Sequence, residues 1–234
     1  MMTNWEQLKG KTIAITGSSK GIGKATVSLL QESGANLVLG SRSHTEKSTS
    51  QTLEMPLDVT SEQSVIRFYE RGIQAFGTID VLMNSAGVGT FESVVDSSTD
   101  TFDEMLSVNL RGTYLTCKHF GKHMAERGTG KILNLVSIAG TTALPGGGGY
   151  SATKFGVFGL TKVLQAELRQ EGVQVIAVLP GSVNSNFWDH MEETPDLSKM
   201  IPVETLAKHL VYLITQPSGA FIDEITIMPP LGIL

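Results

Sequence analysis

Two periodicities alternate along the chain. Short runs of β-branched and aliphatic residues predict strands over residues 12–16, 36–40, 54–57, 81–84, 131–136, 174–179 and 222–227. Between them, apolar positions recur with the spacing of one helix face. The strongest stripe is Val65, Phe68, Tyr69, Gly72, Ile73 and Phe76, behind a Thr60-x-x-Gln63 capping box. Further helices are predicted over 22–33, over 102–127 with a break near Gly112, over 150–170 and over 203–215. This alternation predicts an α/β fold, a parallel sheet of about seven strands covered by helices.

No repeat and no Pro- or Gly/Ser-rich linker divides the 234 residues, and 41% are hydrophobic, so one packed domain over 1–234 is expected. The 18 Lys and Arg against 23 Asp and Glu give a net charge of −5 without a basic stripe, so nucleic acid is not an expected partner. Cys117 is the only cysteine. With no secretory signal pattern at the amino terminus, it predicts a reducing, cytoplasmic setting. Apolar runs such as 175–179 are too short to span a bilayer, and no membrane association is expected.

Directly after the first strand comes Thr16-Gly17-Ser18-Ser19-Lys20-Gly21-Ile22-Gly23, followed by a helix. Glycines there permit a tight turn and close approach of a ligand to the backbone, while free amides and the helix dipole favour an anion such as a pyrophosphate. The spacing is G-x-x-x-G-x-G, a variant of the common dinucleotide fingerprint.

In this turn the chain resembles the short-chain dehydrogenase/reductase family, whose motif is T-G-x-x-x-G-I-G. Asn84-Ser85-Ala86-Gly87 is similar to its N-x-A-G, Asn109 stands at its helix Asn, and Ser137 closes the fifth strand. Tyr150-Ser151-Ala152-Thr153-Lys154 is similar to Y-x-x-x-K, and Pro180-Gly181 follows the sixth strand. The resemblance implies a single Rossmann-type, doubly wound domain that transfers hydride between a nicotinamide and a carbonyl or alcohol. It implies cofactor contacts at Gly17, Ser19, Lys20, Gly21, Ile22, Gly23, Asn84, Ala86, Gly87, Pro180, Gly181, Val183 and Ser185, with Asp58-Val59 at the adenine. No metal is implied.

Carbonyl reduction needs a proton for the oxygen that becomes negative. Tyr150 is the candidate acid. Lowering a phenol from about 10 to about 7 takes roughly 4 kcal/mol, and Lys154, one helical turn away on the same face, is the expected source. Ser137 is placed to hold the substrate oxygen. By the resemblance, Lys154 also bonds the nicotinamide ribose, and Asn109 anchors a water in a proton relay.

The second strand ends Gly40-Ser41-Arg42-Ser43 without an acid, and Arg42 with Ser41, Ser43 and Lys20 predicts a site for the 2′-phosphate of NADP(H) in preference to NAD(H). Solvated Arg42 and Lys20 side chains are the alternative. Only 15 residues separate Arg42 from Asp58, so the family's next helix is expected to be short or missing. Residues 182–201 occupy the position of the family's substrate loop. Phe187, Trp188, Met191 and Leu197 are expected to form an apolar lid, or else to pack the loop onto the domain or a neighbouring subunit. His190 and the acids Asp189, Glu192, Glu193 and Asp196 read as surface. The run Gly146–Gly149 predicts a roomy pocket with broad carbonyl acceptance.

The expected function is an NADP(H)-dependent carbonyl reductase, with 3-oxoacyl thioesters or small ketones among the candidate substrates. An NAD-linked polyol or hydroxysteroid dehydrogenase, and a catalytically silent NADPH-sensing regulator, are the alternatives. The family's assembly and the apolar carboxyl end imply a homodimer or homotetramer.

Overall fold

A computed structural model describes residues 5–189 and 195–233 of the chain. Thr12–Thr16 (β1), Asn36–Ser41 (β2), Lys47–Ser48 (β3), Thr52–Pro56 (β4), Val81–Asn84 (β5), Gly130–Leu135 (β6) and Val173–Pro180 (β7) follow in chain order. The short strands Val183–Asn184 (β8) and Ile201–Pro202 (β9) pair with each other, and Glu224–Ile227 (β10) completes the main sheet. Its order is β10-β7-β6-β5-β1-β2-β4-β3, parallel except for β3. The sheet has eight strands where seven were expected. The addition is β3, an antiparallel edge strand in the short stretch between β2 and β4, where the polar, Ser- and Thr-rich sequence offers no apolar stripe to seat a helix.

Helices Gly21–Leu30 (α1) and Val203–Ile214 (α6) cover one face. Glu62–Phe76 (α2), Gly112–Glu126 (α4) and Gly148–Leu168 (α5) cover the other. Strand alternation explains the division. Ile13, Ile15, Leu37 and Leu39 point to the α1/α6 core, whereas Ala14 and Val38 point to the α2/α4 core. The stripe of α2 lies where expected, with Val65 and Phe68 buried. Its cap is one residue later than the predicted box: the Ser61 side chain accepts from the Ser64 amide, because Thr60 is held by Asp58 Oδ1 at 2.8 and 2.9 Å.

The predicted break near Gly112 is a change of helix type. Thr99–Met105 (α3) runs into a π-helical turn, Leu106–Arg111, and then into α4. Among the described residues, no helix is long and apolar enough to cross a membrane.

Candidate active site

β1 has β2 on one side and β5 on the other, so the loops after their carboxyl ends part at this seam, where open α/β sheets gather ligands. The glycine turn fills one side. Gly17 has φ +67°, and a Cβ there would lie 2.8 Å from the Ala86 backbone; one on Gly23 would lie 2.3 Å from Gly17 O. Thr16 Oγ1 accepts from the amides of Ser85 and Ala86, both at 3.1 Å, which draws the β5 loop against the turn. Lys20 stands at the N-cap of α1 without a side-chain cap. The first amides of α1 therefore face the cleft uncapped by any side chain, which fits a diphosphate. Ser185 closes over this turn: a Cβ on Gly21 would meet its Cβ at 3.6 Å.

The cleft continues from Ile22, Ser85 and Gly87 past Pro180, Gly181 and Val183 to Ser137, Tyr150 and Lys154, enclosing about 170 Å³. Ser137 follows β6 with φ 154°, the only non-glycine residue with positive φ among those described. Its Oγ accepts from the Ala139 amide at 3.1 Å. Tyr150 and Lys154 share one face of α5, with Lys154 Nζ 5.5 Å from the Tyr150 ring centroid and donating to Leu135 O at 2.9 Å.

Burial acts oppositely on the two. It pushes the Tyr150 phenol up to about 12, with hydrogen bonding from Ser137 pulling the other way, and it pulls the Lys154 ammonium down to about 8. The expected lowering of the phenol toward neutrality is thus not a property of this state of the site. Desolvation dominates at the phenol, and the Lys154 ammonium is directed at Leu135 O.

Asn109 lies in the π-helical turn and is buried. Its amide donates to Val88 O at 2.8 Å and to Thr153 Oγ1 at 3.0 Å, and its Oδ1 accepts from the Val88 amide at 2.9 Å. Both donors are spent, leaving one acceptor lone pair. Asn109 clamps the β5 loop. Asn84 also turns away from the cleft: its side chain bonds Asn134 Oδ1 at 2.8 Å, accepts from Thr116 Oγ1 at 2.8 Å and approaches Cys117 Sγ at 3.4 Å. Only its backbone lies at the strand end. Burial raises the Cys117 thiol to about 12.

At the far end of the seam, Arg42, Leu57, Asp58, Ser64 and Arg67 line an open cleft of about 470 Å³. Arg42 and Ser43 are exposed, and Ser41 Oγ lies 3.2 Å from Ser43 Oγ. Arg42 forms no ion pair among the described residues, whereas Arg67 is held by Glu46 at 3.2 Å. Lys20 is exposed, and Val59 is buried.

Sequence reasoning missed His44. Its Nε2 lies 2.9 Å from Ser18 Oγ and its Nδ1 3.6 Å from Glu54 Oε2. Ser18 Oγ also lies 3.2 Å from Gly40 O, so its hydroxyl stands between the end of β2 and the imidazole. His44 thereby ties β4 to the glycine turn.

Phe91 was missed as well. It lies in an irregular loop, and only the fold brings it against Tyr150, Phe187 and Trp188, at ring-centroid distances of 5.5, 6.3 and 5.8 Å. Phe187 and Trp188 do face the cleft, whereas Leu197 is not among its lining residues. His190, Met191, Glu192 and Glu193 lie outside the described residues.

The glycine run has a different role from the one expected. Gly148 and Gly149 start α5, and Cβ atoms there would meet Val94 Cγ2 at 2.1 Å and Met105 Cε at 2.7 Å. The missing side chains are replaced by packing from the α3 side, so the run does not widen the pocket.

With a nucleotide cradle at the switch point and a protonated phenol on the opposite wall of the same cleft, the molecule has the plan of a dinucleotide-dependent oxidoreductase. Residues 11–196 match the short chain dehydrogenase family, and the chain belongs to that family. An uncharacterized oxidoreductase of Staphylococcus aureus (strain MRSA252) is 33% identical over 229 residues, covering 95% of this chain and 98% of the relative. One from Staphylococcus haemolyticus (strain JCSC1435) is 30% identical over 232 residues, covering 95% and 99%. Among solved structures, ElxO with NADP bound aligns with a TM-score of 0.82 at 27% identity, over 94% of this chain and 97% of that one. An alcohol dehydrogenase from the archaeon Thermococcus sibiricus complexed with 5-hydroxy-NADP aligns at 0.84 and 28%, with the same coverage.

Proposed function

We propose that this chain is an NADP(H)-dependent carbonyl reductase in which Tyr150 is the general acid, Lys154 the neighbouring cation, Ser137 the group that holds the substrate oxygen and Asn109 a positioning residue. The observation that carries the reading is the Tyr150–Lys154 pair facing Ser137 across one cleft with the glycine turn. When bound, the nicotinamide supplies the hydride. The chain supplies the rest: Ser137 orients the carbonyl oxygen, Tyr150 Oη gives it a proton, and the Lys154 ammonium stabilises the resulting phenolate. A phenol kept protonated at neutral pH is the form that delivers a proton. Asn109 fixes the loop carrying Gly87 and Val88 without touching substrate.

NADP(H) is preferred in this reading because Arg42 is exposed and unpaired among the described residues, next to Ser41 and Ser43, while Glu46 and Glu54 face Arg67 and His44. The NADP-bound neighbours support it. Residues 182–201 form the substrate-loop segment of the single catalytic domain. A homodimer built on α4 and α5 is supported by the exposed apolar side chains Tyr114, Phe155 and Val163, and a homotetramer by exposed Leu231 and Ile233 after β10. The lone buried Cys117 supports a reducing, cytoplasmic setting.

Following cofactor absorbance with NADPH and with NADH against ketones, aldehydes, diketones and 3-oxoacyl thioesters tests the reading. Turnover that favours NADPH and disappears in Tyr150→Phe is expected; equal turnover by Tyr150→Phe removes the proposed acid.

A further inference from the structure

The substrate end of the cleft is built from ring faces. Phe91 and Trp188 stack with their planes 20° apart, and Phe187 stands edge-on to both, at 83° and 84°. Phe187 also lies 5.5 Å from the Tyr150 ring. This position depends on Gly89, where a Cβ would lie 2.3 Å from Phe187 Cζ and 2.9 Å from Tyr150 Cδ2. The Trp188 indole N–H, the one polar atom of these three rings, donates to Val183 O at 2.8 Å, so its polar edge is already satisfied. Val88, Ile138 and Leu144 complete the apolar wall. Among the described residues Lys154 is the only charged one lining the cleft, and its ammonium bonds Leu135 O.

Among the described residues, these ring faces reward a flat ring and offer no hydrogen-bond partner to a sugar hydroxyl array or to a phosphate. Aromatic rings gain from edge-to-face and offset contacts beyond their area, whereas polar groups buried here would go unpaired.

We infer that the substrate is a neutral aryl ketone or aldehyde, its ring held against the cleft-facing sides of Phe91, Phe187 and Trp188 and its carbonyl directed at Tyr150. This assignment rests on the carbonyl-reductase reading. It replaces the broad acceptance expected from the glycine run.

The test compares acetophenone with 2-octanone, a ketose and acetoacetyl coenzyme A by kcat/KM with NADPH, in the full chain and in Trp188→Phe and Trp188→Leu. Acetophenone is expected to exceed 2-octanone by about tenfold, with the ratio kept in Trp188→Phe and falling toward one in Trp188→Leu. Equal or better turnover of 2-octanone, the ketose or the thioester overturns the aryl assignment and leaves the reductase reading standing.

Saturation-transfer NMR with 1-phenylethanol and 2-octanol, without cofactor, decides the assignment even if no carbonyl is turned over and the reductase reading fails. Transfer to 1-phenylethanol that is stronger than to 2-octanol and lost in Trp188→Leu supports it. Equal transfer, or none, overturns it.

Discussion

Tyr150 and Lys154 carry opposite shifts from one cause. Removing water disfavours each charged form, so the phenol keeps its proton up to about 12 while the ammonium gives its proton up at about 8. Within the proposed mechanism Lys154 must be charged, and the sign of the pH dependence follows. We predict that kcat/KM for reduction is flat below about pH 8 and falls, about tenfold per unit, above it. A profile flat to pH 10 would show that the Lys154 charge is not required. For stability, the unfolded chain, with Lys154 near 10.5, binds this proton more tightly than the folded one. The contribution of Lys154 therefore rises with pH between about 8 and 10.5. At this scale, Gly17, Gly23, Tyr150 and Lys154 were legible from the chain because their arrangement is local, a turn in one case and one helical turn in the other. Phe91 and His44 were not, since each acquires its role from partners on distant elements.

The π-helical turn Leu106–Arg111 is the element that joins packing to the site. It presents Asn109 to the backbone of Val88, which accepts and donates one hydrogen bond each way, and to Thr153 on α5. Asn109→Ala removes the partners of the part-buried Val88 amide and carbonyl and one of the two bonds of Thr153 Oγ1, at a cost of about 3 kcal/mol. For a chain of this size that is a fall in Tm of roughly 6–12 °C, measurable by thermal unfolding. A wild-type Tm would mean that the clamp contributes nothing. Apolar periodicity alone located α2, α5 and α6 closely, since each buries a continuous stripe. It could not show the change to a π-helix, which alters hydrogen-bond spacing without interrupting the apolar pattern. Nor could it show β3, whose two residues are exposed and held only through the backbone of β4.

For the whole molecule, the strand order sets the chemistry. Reversal of the chain's path between β2 and β5 opens the seam at β1; Ser137 follows β6 and Tyr150 and Lys154 stand in the first two turns of α5 at that end of the sheet, while Asn109 reaches in from the π-helical turn. The doubly wound plan was legible because strand and helix periods alternate almost throughout; the meeting of Phe91 with Phe187 and Trp188 was not, because the pocket's walls come from separate segments. The proposed assembly is a property of this scale too. Sedimentation velocity is expected to give a dimer or a tetramer, and Tyr114→Glu with Phe155→Glu to weaken it; a wild-type monomer would remove the α4/α5 interface. Initial rates of NADPH and NADH oxidation with acetophenone, for the wild type and Tyr150→Phe side by side, test the central claim most directly. The account predicts faster oxidation of NADPH than of NADH and a loss of at least about a hundredfold in the variant. Undiminished turnover by Tyr150→Phe would contradict it.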